Sequence, residues 1–429
     1  MCHEYHCMKR IINRIIFLLL SIIAIACGED RTYEYLELTK ENHWIYSQMQ
    51  EHYYWNDNIK EPSRDTFFQT ESKFFASIVN SNDKISYFQD NTVQTSYGMS
   101  FAIIRDPLGI KASNYYALVI DVEPGSQADK AGIVRGTWIT KAGKNNISTS
   151  SYASLQQGDS ITLCTSIIDY NDTTNEYEWL TGDTITMEPS AVVEPLAIKL
   201  DTLYEERGKR IGYIVCNNFD KESIVEEMRT SLSNIQNAEY LIIDLRYNSS
   251  GTLSNANAVA NLLLSSEKSG SIFCSLKNNK GESIENGEYI IVGEELLSNL
   301  NKIYLLTGGS TAGATEAFVA AMKSNSNNVV TLGENSAGVQ FYTQAIESPY
   351  GFTIHPVIAE IYSPDGTIIP SEGITPDYFV DEFAQFHKIY PIGDKQEYML
   401  YSTMHLITSG GLPRTAAAKS CDTHFHLCQ

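Results

Sequence analysis

Two stretches of the chain gather small and polar residues where strands should give way to loops or helices. Asp244-Leu245-Arg246-Tyr247-Asn248-Ser249-Ser250-Gly251 closes the apolar run 240–245. Leu306-Thr307-Gly308-Gly309-Ser310-Thr311-Ala312-Gly313-Ala314-Thr315-Glu316 leads into a helix-patterned segment. Small residues at a strand-to-helix junction leave the first N–H groups of the helix free to face a ligand, which suits an oxyanion or another anion. A third candidate is the tail, with Cys421, His424, His426 and Cys428. Their C-x-x-H-x-H-x-C order matches no metal-site spacing, so a frayed end or a local disulfide is expected there and no metal or cofactor. Cys164, Cys216 and Cys274 sit in apolar, strand-like runs and read as core thiols.

The elements that must position these loops follow from periodicity. Residues 196–410 alternate strands (210–216, 240–245, 302–306, 329–332) with helices (221–233, 255–264, 312–324), an α/β core. The near-continuous apolar run 240–245 is expected in a sheet buried on both faces. Residues 93–195 read as a smaller β-rich domain. There 115–122 is an apolar strand, Glu123-Pro124-Gly125-Ser126 is turn chemistry, and 127–132 is one helical turn ended by Gly132. Residues 28–92 look helical and aromatic, with Trp44, Ile45, Met49 and Tyr53 at helical spacing.

The first 27 residues read as a lipoprotein leader. Lys9, Arg10 and Arg14 precede an apolar run, 15–26, too short to span a bilayer as a helix. The run ends Ala24-Ile25-Ala26-Cys27, which resembles a bacterial lipobox and makes Cys27 the lipidation site. The expected location is extracytoplasmic, anchored to a membrane (outer membrane, periplasmic or surface face), and residues 411–429 form a separate tail. The 429 residues are 43% hydrophobic and 19% charged, which is a globular composition. With 31 Lys+Arg against 52 Asp+Glu, the net charge of −21 argues against a nucleic-acid partner.

Several of these motifs together resemble one family. Ser126-Gln127-Ala128-Asp129-Lys130-Ala131-Gly132, followed by Gly136-Thr137, is similar to the S-x-A-x-x-A-G…G-D run of bacterial PDZ domains, with Thr137 in place of the Asp. Asp244-Leu245-Arg246-Tyr247-Asn248 resembles a D-L-R-x-N element. Tyr362-Ser363-Pro364-Asp365-Gly366, Glu372-Gly373-Ile374-Thr375-Pro376-Asp377 and Pro391-Ile392-Gly393-Asp394 resemble later elements of the same family. The chain thus looks like the C-terminal processing (tail-specific) serine peptidases, in their extracytoplasmic lipoprotein branch. The resemblance covers nearly all of 40–410 and implies a helical N-terminal region, a PDZ-like domain and an α/β core with a crotonase-like ββα superhelix.

What the resemblance implies for chemistry is a Ser nucleophile and a Lys base acting near peptide C-termini. The nucleophile, the middle Ser of S-A-S-A-S-E, falls on Gly313. The Lys of G-E-x-T-x-G-K falls on Val339, in Gly333-Glu334-Asn335-Ser336-Ala337-Gly338-Val339. The oxyanion region falls on Ser250, Gly251 and Ala314, with Ser250 where the family has a glycine. Glycine cannot form an acyl-enzyme and valine cannot accept a proton. Ser310, Thr311 and Thr315 offer nearby hydroxyls, with Ser310 and Thr311 read more simply as helix caps. In the PDZ-like domain, Tyr97-Gly98-Met99-Ser100-Phe101 is the stretch expected to receive a peptide C-terminus, through N–H groups converging at Gly98 and a free strand edge. The leading expectation is a binder of peptide or protein C-termini without efficient hydrolysis. Alternatives are a serine-type peptidase with an unfamiliar nucleophile and a non-peptidase ligand-binding module.

Overall fold

The computed structural model describes residues 32–413 apart from Ala112. The leader with Cys27 and the Cys/His tail lie outside the described residues. The described chain forms two compact units.

One unit contains the residues up to Asn91 together with Thr343–Val357. Its Lys40–His52 helix buries Ile45 and Met49, and Tyr53 follows them into the core. The Tyr53 hydroxyl donates to Asp83 Oδ2 at 2.8 Å and accepts from the Asn80 N–H at 2.9 Å, so the ring's polar end is satisfied where it is buried. The strand Tyr87–Asp90 pairs antiparallel with Phe352–His355, which pairs with Ile346–Glu347. The helical unit therefore includes a hairpin from late in the chain. His355 stacks on Tyr87 and contacts Gln89 Oε1 through Nε2 at 2.8 Å, so its ring is accounted for by its strand partner.

The other unit, Thr92–Tyr342 with the residues from Ile358, contains both candidate loops. Its central sheet has six strands in the order Tyr378–Phe379, Val329–Gly333, Lys302–Thr307, Tyr240–Asp244, Lys209–Cys216, Ile198–Glu206. All neighbours are parallel except the last pair, an antiparallel hairpin. Alternate side chains of 240–244 point to opposite faces, as the pleat requires. Leu241 and Ile243 pack with Phe318, Met322, Val259 and Met228 of the crossing helices. Ile242 packs with Met399, Leu400 and Met404 of the Tyr398–Ser409 helix. Both faces are covered, which accounts for the near-continuous apolar run. A second sheet runs through Ser283–Ile290 and Ile272–Lys277, whose Ser275–Lys277 pair with 360–362.

Before the core comes an antiparallel sheet in the order Met99–Arg105, Tyr115–Val122, Trp138–Ala142, Ile161–Asn171, Glu176–Met187. The short helices Gln127–Lys130 and Tyr152–Gln156 close one face over Phe101, Val119, Ile139 and Leu163. The opposite face, with Leu118, Ile120 and Trp138, packs on Phe383, Tyr247 and Phe386 of the core. Met99–Arg105 is an edge strand of this sheet.

No helix among the described residues is long and apolar enough to cross a membrane. Among them, Cys216 and Cys274 are buried free thiols and Cys164 is only half-buried. Burial pushes the Cys216 and Cys274 thiols up to about 12, so both stay protonated.

Candidate active site

Lys302–Thr307 delivers the chain to the sheet's C-terminal edge, where it turns and enters the helix Ala314–Asn325. The residue at the helix start is Gly313, with φ 58° and ψ −114°. A side chain there would be strained, at roughly 1–3 kcal/mol, so the turn favours glycine once no chemistry requires a side chain. A β-carbon built at Gly313 would lie 4.0 Å from Val339 Cγ1. Positions 313 and 339, which the resemblance pairs, are thus neighbours in space, 26 residues apart in sequence.

Glu316 holds that arrangement together. Its buried carboxylate accepts the Gly313 N–H (3.0 Å), the Gly338 N–H (2.7 Å), the Val339 N–H (2.8 Å) and the Ser336 hydroxyl. The helix start and the 336–339 loop are pinned through one side chain. Burial raises the Glu316 pKa, against hydrogen bonds that favour its ionised form. The motif marks Glu316 only as a first-turn acid; no sequence signal gives the loop it binds.

The nearby hydroxyls are otherwise employed. The Thr311 hydroxyl accepts the Gly308 N–H (3.0 Å) and donates to the Leu245 carbonyl (2.9 Å). The Thr315 hydroxyl donates to Asn248 Oδ1 at 2.7 Å, within the core. The expected capping by Ser310 and Thr311 is not found. The N-cap is Gly313, because the chain continues two residues further before turning helical, and Thr311 staples the loop to Leu245, just past the end of the neighbouring strand Tyr240–Asp244, instead. Ser310 is 6% exposed and lines a cleft. Lys323, further down the helix, pairs with Asp377 Oδ1 at 2.8 Å. His387 packs against Tyr177.

The cleft, of about 490 Å³, runs from the β-rich part to the core. Met99, Ser100, Phe101 and Tyr152 line one wall, and Tyr247, Ser249, Ser250 and Ser310 the other. Ser250 donates its hydroxyl to Asp220 Oδ2, and its carbonyl accepts the Phe219 N–H at 2.9 Å. Gly251 bridges in parallel to Phe219. Ala314 occupies the first helical position, where N–H groups have no partner within the helix. At Ser250, one of the residues the resemblance assigns to an oxyanion site, a carboxylate stands beside the loop. A negative charge there opposes the anion of a tetrahedral intermediate.

The peptide-receiving stretch differs from expectation at its amides. The Tyr97 N–H donates to the Gln156 carbonyl and the Gly98 N–H to Ser96 Oγ, both at 2.9 Å. Two donors expected to converge on a carboxylate are thus engaged within the protein. Gly98 has φ 79°, and a β-carbon there would fall 2.2 Å from Ser126 Cβ, so close approach of the 126 turn is what requires the glycine.

The cleft's second wall is fixed by buried charge. Arg246 is 1% exposed. It donates to both Asp244 oxygens (3.0 and 2.7 Å), to both Glu397 oxygens (2.8 and 3.1 Å) and to Glu382 Oε1 (3.1 Å). Arg135, from the β-rich part, reaches the same Glu382, the Tyr247 hydroxyl (2.9 Å) and the Ile120 and Tyr390 carbonyls (2.6 and 3.1 Å). Burial opposes ionisation of Glu397, but the Arg246 guanidinium outweighs it and holds the carboxyl below the usual glutamate range.

At the rim of this network, burial, with Asp381 and Glu382 close by, pushes the Glu334 carboxyl up to about 7. The folded protein therefore holds a proton that the unfolded chain releases near 4.5. That stabilisation is complete below about 4.5 and is lost as pH rises through about 7. Its size is roughly 3 kcal/mol, since a tenfold difference in proton affinity between the folded and unfolded chain is worth about 1.4 kcal/mol. Urea unfolding of Glu334→Gln and the parent across this range isolates the effect from other groups. The parent should lose stability relative to the variant as pH rises; parallel curves would contradict the assignment.

The comparisons with known proteins agree with this geometry. The family model described as Peptidase family S41 matches residues 210–380, and that of the Peptidase S41 N-terminal domain matches 40–88, between them a little over half of the chain. The carboxy-terminal processing protease CtpA of Bacillus subtilis is 24% identical over 331 residues, 73% of this chain and 66% of that protein. A carboxyl-terminal-processing protease of Picosynechococcus is 27% identical over 205 residues, 47% of this chain and 45% of its own length. The chain thus spans between about half and two thirds of these curated relatives. A Bacteroides fragilis structure assigned to the S41 proteases superposes with a TM-score of 0.72 at 23% identity, covering 85% of this chain and 96% of the other. The photosystem II D1 C-terminal processing protease gives 0.50 at 16% identity, covering 80% and 93%. The described chain has the S41 peptidase fold, and the protein belongs to peptidase family S41.

Proposed function

We propose that this protein is a non-hydrolysing member of the family that binds extended peptide or protein tails in the cleft. The observation that carries the reading is the pair Gly313 and Val339, held side by side by Glu316 with neither an attacking oxygen nor an amine to arm it. The Asp220 carboxylate on Ser250 is a further obstacle to anionic intermediates. Binding is supported by the edge strand Met99–Arg105, which a peptide can extend by main-chain hydrogen bonding in the manner of PDZ domains. With the Tyr97 and Gly98 amides engaged, strand addition contributes more than carboxylate capture. The lipobox-like run ending at Cys27 supports a location on the outer side of a membrane, so Cys27→Ser should move the protein out of the membrane fraction.

The experiment is incubation of the purified protein with an unstructured polypeptide and a fluorophosphonate probe, alongside peptide binding by fluorescence anisotropy. Binding without turnover or labelling is expected. Labelling that disappears in Ser310→Ala would instead favour an active peptidase, because Ser310 is the hydroxyl of that loop lining the cleft.

A further inference from the structure

We infer that the cleft selects peptide segments carrying a basic side chain, with Asp220 as the residue that reads it. This rests on the reading that the cleft holds polypeptide. Every charged side chain lining the cleft is acidic: Asp121, Glu123 and Asp220. The first two share one cation, Lys199, which contacts Asp121 and lies 2.8 Å from Glu123 Oε1. Lys199 is held between them and is only 10% exposed, so two negative charges meet one positive at that end.

Asp220 differs. It is exposed, it stands on the core wall beside the oxyanion region, and among the described residues it has no cationic partner. Its hydrogen bond from Ser250 occupies Oδ2 and orients the carboxylate, and its own N–H is anchored on Asn218 Oδ1 at 3.3 Å. An oriented carboxylate with open coordination, in a cleft whose nearby cation Lys199 is already taken by Asp121 and Glu123, is complementary to an ammonium or guanidinium. The same carboxylate would repel an acidic side chain, which supplies discrimination as well as attraction. The apolar wall of Met99, Phe101 and Ile120 can cover the aliphatic stem of a lysine or arginine while its head reaches Asp220. The chain's net charge of −21 adds a long-range attraction for cationic segments, so specificity has to be separated from bulk charge.

The test uses the full chain and three labelled peptides identical except for a central Lys, Ala or Glu, read by anisotropy at low and physiological salt. Expected affinities fall in that order. Asp220→Asn should weaken the Lys peptide by roughly tenfold and leave the Ala peptide unchanged. Asp172→Asn, at an exposed acid outside the cleft, controls for bulk charge and should change little. Equal binding of Lys and Glu peptides, or equal loss in the two variants, would overturn the basic preference while leaving peptide binding in place. Failure of all three peptides to bind would overturn both.

Discussion

Installing Gly313→Ser with Val339→Lys should convert the protein into one that cleaves unstructured polypeptides, whereas either change alone should leave it silent. The scaffold for this is present: the two positions face each other at 4.0 Å, measured from a β-carbon at 313, and Glu316 pins both backbones. A nucleophile and its base act as a unit, so the single variants gain little. With both present, turnover should rise at least about a hundredfold above the parent's background. The introduced serine must adopt the strained conformation of Gly313, so the variant should also lose about 1–3 kcal/mol of stability, readable in urea. Ser250→Gly, added to the pair, should raise the rate further, because it frees the oxyanion region from the hydroxyl that fixes Asp220 there. A folded double variant that binds peptide and never cleaves would mean that the cleft has lost more than its two reactive groups.

Arg246→Ala should be among the most damaging single changes in the molecule. The guanidinium is the common partner of Asp244, Glu397 and Glu382, all buried. Removing it leaves three carboxylates facing one another in a site closed to water, with Arg135 as the remaining cation. Breaking a buried ion pair in this way costs about 3–5 kcal/mol, a large part of the total stability of most domains. The expected result is a strongly reduced urea midpoint or loss of soluble protein at neutral pH. Lower pH should partly restore it, as the stranded carboxylates take up protons. A change below about 1 kcal/mol would show that the network is a bystander.

Local patterns made much of the fold readable. The run 240–245 is buried on both faces, as its composition demands, and Gly132 ends the turn after Gln127–Lys130 with φ 79°. The family resemblance also implies that Gly313 and Val339 are partners, although 26 residues separate them. What stayed hidden depends on residues far apart in sequence. Arg135, Arg246, Glu382 and Glu397 form one cluster, yet each reads in sequence as an ordinary surface charge or a motif letter. The hairpin at 346–355 carries no local sign that it pairs with Tyr87–Asp90. The engaged amide of Tyr97 depends on where Gln156 sits, which spacing cannot give. Ser250 was legible as a departure from a glycine, but its bond to Asp220 needs the two loops placed side by side.

The most direct measurement is intact mass of the parent and of the Gly313→Ser/Val339→Lys variant after exposure to a fluorophosphonate. An unmodified parent and a single adduct on the variant, mapped to position 313, are expected. Stoichiometric modification of the parent at any serine or threonine of the cleft would contradict the non-hydrolysing reading.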